Sequence, residues 1–132
     1  MTVCFVNGCF DVLHVGHVRL FKFAKKLADQ LIVAVDSDER IRGSKGLDRP
    51  YNNLEDRIEM LSSIRFIDKV LSFDSNESLE KLIKNIKPDV MVVGSDWQNK
   101  DVIGSQYAGK VKFFRRIDGY STTKILENSL NR

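Results

Sequence analysis

Val3-Cys4-Phe5-Val6-Asn7-Gly8-Cys9-Phe10-Asp11-Val12-Leu13-His14-Val15-Gly16-His17 is the stretch on which the fold turns. An apolar run of strand length ends in a glycine turn and leads into Leu20, Phe21, Ala24, Leu27 and Ala28, which recur at helical spacing. Where a strand feeds a helix through a glycine turn, the helix offers unpaired N-terminal amides and the positive end of its dipole to an anion. From Val12 to Ala28 there is no acidic residue, while Arg19, Lys22, Lys25 and Lys26 are basic. His14 and His17, the only histidines of the chain, stand where a helix start usually carries a carboxylate. A lone histidine there reads as a cap or a satisfied core residue. A His-x-Gly-His pair on a glycine turn after the first strand reads as a phosphate site.

His14-Val15-Gly16-His17 resembles the HxGH signature of the cytidylyltransferase-like nucleotidyltransferases. Near the other end of the chain, Arg116-Ile117-Asp118-Gly119-Tyr120-Ser121-Thr122-Thr123 is similar to that family's second signature. Between them the two motifs bracket nearly the whole chain.

The remaining apolar runs complete an alternating pattern. Leu31-Ile32-Val33-Ala34-Val35 is a second strand, closed by Asp36-Ser37-Asp38. The first helix is expected to end near Asp29, so strand, helix and strand form a βαβ unit. Residues 39–53 lack an apolar period and hold Gly43, Gly46, Pro50, Arg40, Arg42, Lys45 and Arg49. They read as a loop, either a solvated surface segment or a basic lid able to bring Lys45 to a triphosphate. Leu54, Ile58 and Leu61 mark a helix capped by Asn53, with Glu55 and Asp56 in its first turn. Residues 68–73 read as a strand and residues 75–86 as a helix with Leu79, Leu82, Ile83 and Ile86 inward. Asp89-Val90-Met91-Val92-Val93 and Lys110-Val111-Lys112-Phe113-Phe114 are the last strands. Gly94-Ser95-Asp96-Trp97 between them is either a structural turn or a base-recognition corner, where the indole stacks and Asp96 accepts from an exocyclic amine. Residues 98–109 read as a short helix or loop. Ser121 is a good N-cap for a final helix whose first turn, Thr122-Thr123-Lys124, also lacks an acid.

Five strands alternating with helices predict an α/β fold, a single-domain doubly wound parallel five-stranded sheet of Rossmann-like order 3-2-1-4-5 over residues 1–132. Its ligand crevice would open beside the first and fourth strands. The family resemblance implies the same fold.

Composition narrows the classes. The 132 residues suit one domain able to bury a core without staples, and 42% hydrophobic with 30% charged residues is ordinary for a globular chain. A net charge of +3 does not argue for nucleic acid and is compatible with a site for small polyanions. Cys4 and Cys9, the only cysteines, form neither a disulfide framework nor a zinc pattern, and they read as structural thiols. No signal peptide is visible and the apolar runs are far short of a membrane span, so a cytoplasmic protein without membrane or nucleic-acid partners is expected.

Charge also suggests the chemistry. No residue pattern resembles an activated nucleophile, and an acceptor phosphate is already ionised at neutral pH. Direct in-line displacement at the α-phosphorus of a nucleoside triphosphate is therefore expected, with catalysis by positioning and neutralisation. The resemblance implies the roles. His14 and His17 would hydrogen-bond the triphosphate and the pentacoordinate phosphorus, and Lys45 and Arg116 would neutralise phosphates. Ser121 and Thr122 would hold the β/γ end, and Arg57 would bear on the nucleotide phosphates. Gly8, Cys9, Phe10 and Gly16 would line the backbone approach to the nucleotide, and Gly94, Asp96 and Trp97 would border the base. Mg2+ would travel with the triphosphate, with few protein ligands. The resemblance also allows a homodimer, although no interface is legible.

Asn7 to Asp11, Lys45-Gly46, Arg49-Pro50 and Glu55-Asp56-Arg57 resemble the heptose 1-phosphate adenylyltransferases of lipopolysaccharide precursor synthesis, which use ATP. Val93 stands where those enzymes typically have a lysine. Gly94 to Trp97 and Arg116 to Gly119 are closer to the glycerol-3-phosphate cytidylyltransferases, which use CTP. A catalytically silent nucleotide-binding module would show damage at the phosphate-handling positions, and none is visible.

Overall fold

The computed structural model describes residues 1–115. Strands β1 (Val3–Gly8), β2 (Gln30–Asp36), β3 (Lys69–Phe73), β4 (Val90–Gly94) and β5 (Lys110–Phe114) form one parallel sheet of order β3-β2-β1-β4-β5. Helices α1 (Val15–Lys25), α2 (Asp38–Lys45), α3 (Leu54–Ser62) and α4 (Asn76–Ile86) connect them. The predicted strand order is therefore the observed one.

Successive residues of a strand point to opposite faces, and both faces of this sheet are covered. Cys4, Val6, Val33, Val35, Val90 and Val92 face one core, with Phe21 and Ala24 of α1 and Leu61 of α3 packed on them. Phe5, Ile32, Ala34 and Met91 face the other, against Leu79 and Ile83 of α4. That double burial is why the strands read as continuous apolar runs rather than as alternating ones.

Register explains where the sheet opens. β1 pairs with β2 along its whole length, from Val3 opposite Gln30 to Gly8 opposite Val35. It pairs with β4 only at Cys4 opposite Val90 and Phe5 opposite Met91. Beyond those pairs the two strands part, and Val6, Asn7, Gly8, Val92, Val93 and Gly94 line a cavity instead of pairing with each other. This is the topological switch point of a doubly wound sheet, where the helices diverge to opposite faces.

The structure corrects two element boundaries. α1 ends at Lys25, not near Asp29, and residues 26–29 turn through Leu27 N–H to Ala24 O and Ala28 N–H to Lys25 O. Residues 38–45, expected as part of a loop, form α2. Ser37 caps it by accepting from Arg40 N–H, Asp38 and Glu39 occupy its first turn, and Ile41 is its buried anchor. The helix stops at Gly46, whose φ of 106° an L side chain rarely adopts. Residues 105–107 form a short 3₁₀ turn within the expected 98–109 connection.

Candidate active site

The cavity at the parted strands has a volume of 420 Å³. Its floor is the loop after β1, one wall is the start of α1, and the other walls come from α2, the end of β2 and the corner after β4.

His14 is the N-cap of α1, and its Nδ1 accepts from Gly16 N–H at 3.0 Å. His17 answers from the third helical position, with its Nδ1 accepting from His14 N–H at 3.2 Å. This is a capping box in which two imidazoles take the places of a hydroxyl and a carboxylate. A ring whose Nδ1 accepts an N–H carries its proton on Nε2. The cap therefore fixes both rings in the Nε2–H tautomer, and the capping and phosphate-binding readings of these histidines are compatible. The rings lie 3.9 Å apart between centroids. Phe10 meets His17 edge-on at 5.5 Å and Phe21 at 5.2 Å, which holds the His17 ring from behind. Phe10 does so with a φ of 45°, a conformation that costs energy for a non-glycine residue. Gly8 admits it, since a Cβ at Gly8 would lie 2.9 Å from the Phe10 ring. The first turn of α1 holds no acid, unlike α2, α3 and α4. The dipole of α1 is thus left uncompensated by a carboxylate.

Lys45, the last residue of α2, reaches the floor and donates to Cys9 Sγ at 3.2 Å. Cys9 lines the cavity; Cys4 lies in the core, where burial pushes its thiol up to about 11, so it remains a neutral packing group. Gly94, Asp96 and Trp97 form the corner beyond β4, where a 3₁₀ turn over Ser95–Trp97 leaves the indole 47% exposed. Gly8, Cys9, Phe10, His14, Gly16, His17, Lys45, Gly94, Asp96 and Trp97 are thus brought to one cavity. Arg116, Ser121 and Thr122 lie outside the described residues.

Arg57 differs from the expectation. It is 1% exposed and does not line the cavity. Its guanidinium donates to Cys9 O (3.0 Å), Asp36 O (2.7 Å), Asn52 O (3.1 Å) and Asp38 Oδ1 (2.7 Å). It ties the β1 loop, the end of β2, the start of α2 and the segment before α3 behind the floor. The five-donor fork of arginine suits that task, and a lysine would not match it. Asp11 has a parallel role that sequence reasoning missed. This 2% exposed carboxylate accepts from Arg49 Nε, Tyr51 N–H and Asn52 N–H at 2.7–3.0 Å, while its own carbonyl accepts from Asn52 Nδ2. The pair pins the basic segment against the glycine turn. The signal available in the sequence was a single acid between Phe10 and Val12.

Asp36, Arg40 and Ser44 also line the cavity and were not anticipated as site residues. Burial pushes the Asp36 carboxyl above the usual carboxylate range, against the pull of the Arg40 guanidinium. A helix over residues 38–45 is what brings Arg40 and Ser44 to one face, so reading that segment as a loop concealed them.

A family model described as cytidylyltransferase-like matches residues 5–128. The bifunctional protein HldE of Campylobacter fetus subsp. fetus is 44% identical over 125 residues, which cover 95% of this chain and 27% of that protein. That of Helicobacter hepaticus is 45% identical over 126 residues, 96% of this chain and 26% of that protein. The chain thus spans about a quarter of the length of these curated relatives. Among solved structures, the lipopolysaccharide core biosynthesis protein from Thermoplasma volcanium superposes with a TM-score of 0.69 at 25% identity, covering 92% of this chain and 99% of that one. The pantoate-beta-alanine ligase from Francisella tularensis superposes with a TM-score of 0.63 at 18% identity over 97% of this chain and 65% of that one, a likeness of fold alone.

Proposed function

The chain belongs to the cytidylyltransferase-like family of nucleotidyltransferases, and we propose that it transfers the adenylyl group of ATP to D-glycero-D-manno-heptose 1-phosphate, giving ADP-heptose and pyrophosphate. The observation that carries the reading is the His14–His17 capping box on the wall of the cavity, two fixed Nε2–H donors on an acid-free helix start. The similarity to HldE over 95–96% of the chain supports the heptose assignment, as does the resemblance of Asn7 to Asp11 and Lys45 to Arg57 to the heptose 1-phosphate adenylyltransferases.

In this reading an oxygen of the acceptor phosphate attacks the α-phosphorus. The bond from that phosphorus to the bridging oxygen of the β-phosphate breaks, and pyrophosphate leaves with the electron pair. Two anions must meet, so the residues act by neutralisation and alignment. His14 and His17 donate to the triphosphate and to the equatorial oxygens of the pentacoordinate phosphorus. Lys45, at the end of α2, turns from Cys9 to the phosphates. Arg116, Ser121 and Thr122 take the β/γ end. Gly8 to Phe10 and Gly16 let the backbone approach, and Gly94, Asp96 and Trp97 receive the base. Arg57 holds the floor together and leaves phosphate contact to the other cations.

Among the described residues no group of three or more histidine, cysteine or acidic side chains is placed to hold a metal. A magnesium ion travelling with the triphosphate would be ligated mainly by the triphosphate's own oxygens and would supply further charge neutralisation. No helix among the described residues is long and apolar enough to cross a membrane. We place the protein in the cytoplasm, where its nucleotide is found, without nucleic-acid partners, and with a homodimer as its expected assembly.

A second reading, transfer of CMP from CTP to glycerol 3-phosphate, is favoured by the Gly94–Trp97 corner. Pyrophosphate release with Mg2+, crossing ATP and CTP against heptose 1-phosphate and glycerol 3-phosphate, tests both. Turnover with ATP and the heptose alone is the expected result. Turnover only with CTP and glycerol phosphate overturns the heptose assignment, and nucleotide binding without release in all four combinations rejects both acceptors while leaving the reaction class standing.

A further inference from the structure

The wall of the cavity facing away from β4 has no assigned role. That wall is Asp36 at the end of β2, Arg40 and Ser44 one helical turn apart on α2, and Phe73 at the end of β3. Its polar groups are held in place. Arg40 Nε donates to Asp36 Oδ1 at 2.7 Å, and Arg40 Nη2 donates to Asn76 Oδ1 at 2.5 Å, on the first turn of α4. The guanidinium carbon lies 5.4 Å from the centre of the Phe73 ring. Asp36 Oδ2 makes no hydrogen bond among the described residues.

A carboxylate on the wall of a cavity for two polyanions needs a reason. It does not attract phosphate. Nor does it suit an ammonium group, because Arg40 already balances its charge. What the remaining oxygen can take is a neutral hydrogen-bond donor, which on a sugar or polyol phosphate is a hydroxyl. Sheet order decides whose hydroxyl. If the triphosphate lies on α1 and the base at Gly94–Trp97, the nucleoside runs from β1 towards β4. The β2 side is then left for the second substrate. In-line attack requires the acceptor to approach from a different direction than the departing pyrophosphate, which a separate wall provides.

We infer that Asp36, oriented by Arg40 and assisted by Ser44, forms the acceptor subsite and selects a polyhydroxylated phosphate by accepting from its hydroxyl groups. The inference rests on the nucleotidyl-transfer reading and deepens it. It does not depend on which sugar or polyol is used.

The test is steady-state kinetics of Asp36→Ala, Asp36→Asn and Ser44→Ala, with whichever acceptor and nucleotide the unmodified protein turns over best. Methyl phosphate serves as an acceptor without hydroxyls. Asp36→Ala should raise the KM for the polyhydroxylated acceptor about tenfold or more, the range for losing a hydrogen bond to a charged group. The KM for the nucleotide and the turnover of methyl phosphate should stay within about twofold. Asp36→Asn keeps an oxygen for Arg40 Nε and guards against a folding defect, but it turns an NH2 donor to the cavity in place of Oδ2, so it should also raise the KM for the polyhydroxylated acceptor. A rise in nucleotide KM instead would assign Asp36 to the ribose and overturn the inference, as would equal losses with both acceptors. If no acceptor is turned over, the function reading fails on its own. Calorimetric titration of heptose 1-phosphate and glycerol 3-phosphate into both proteins then decides the subsite, and equal binding to Asp36→Ala and the unmodified chain rejects it.

Discussion

In the proposed reaction one ring, that of His17, would serve two purposes through its two nitrogens. Nδ1 closes the cap of α1, and that hydrogen bond sets the proton on Nε2, the atom assigned to the transition-state charge. Replacing His17 by Ala removes both. The loss of one preorganised donor should lower kcat about 10²–10³-fold, while the loss of the cap should cost about 1 kcal/mol of stability. Pyrophosphate release and urea denaturation measure the two separately; full activity in a folded variant would remove His17 from the mechanism. Arg57 gives the opposite pattern. Arg57→Met leaves Cys9 O, Asp36 O, Asn52 O and Asp38 without their donor. It should lose about 3 kcal/mol in denaturant unfolding, the order for breaking a buried charged network. If Arg57 were instead a phosphate ligand, stability would hold and the nucleotide KM would rise. The sequence could not separate these roles, because an arginine in a helix looks the same whether its acceptors are phosphates or backbone carbonyls. Convergence of Cys9, Asp36, Asp38 and Asn52 on one guanidinium exists only in three dimensions.

Elements were legible in proportion to how much apolar surface they bury. β2, buried on both faces from Leu31 to Val35, is evident as a run. α2 buries only Ile41, so no period betrays it, and its signals were the Ser37 cap with Asp38 and Glu39 behind it. The cap of α3 by Asn53, which accepts from Asp56 N–H at 2.9 Å, was readable because Leu54, Ile58 and Leu61 follow it. The expected last helix, with Ser121 and Thr122, lies outside the described residues. Close approaches are illegible in the same way as α2. Gly109 precedes β5 with no turn signature of its own, yet a Cβ there would stand 2.6 Å from the backbone oxygen of Asp89. Gly109 N–H donates to Pro88 O and Lys110 N–H to Asp89 O, so the backbone cannot retreat without loosening the start of the β4–β5 pair. Gly109→Ala should therefore lower stability by about 1–3 kcal/mol. Thermal unfolding of that variant beside Gly43→Ala, where nothing lies within 4 Å, is the check. Equal midpoints would show that the edge yields freely.

For the whole molecule, the edge of the sheet opposite the cavity is held by carboxylates, and these should set an acid limit on the fold. Asp68 accepts from Lys25 Nζ at the end of α1 and from Leu31 N–H at the start of β2. Asp29 accepts from the N–H and hydroxyl of Thr2, just before β1. The Lys25 ammonium and the Leu31 amide hold the Asp68 carboxyl below the usual range, and the Thr2 donors do the same for Asp29. A carboxyl whose folded pKa is depressed adds stability that is complete above its unfolded pKa, about 4, and that is lost as pH falls through the folded value. Asp36 runs the other way. Burial raises its pKa, so folding disfavours its ionised form, and that penalty is relieved as pH falls towards about 4. The two effects occupy adjacent windows, and the cavity wall takes up a proton before the far edge does. Asp68→Asn separates them. At pH 7 the variant should be less stable by about 1 kcal/mol, a partly exposed pair contributing little more. The difference should shrink below pH 4 and vanish once Asp68 is protonated in the unmodified protein. Urea denaturation from pH 7 to pH 2.5 measures this directly. Parallel curves for the two proteins would mean that Asp68 acts through packing rather than charge, and the acid limit would then belong to other groups.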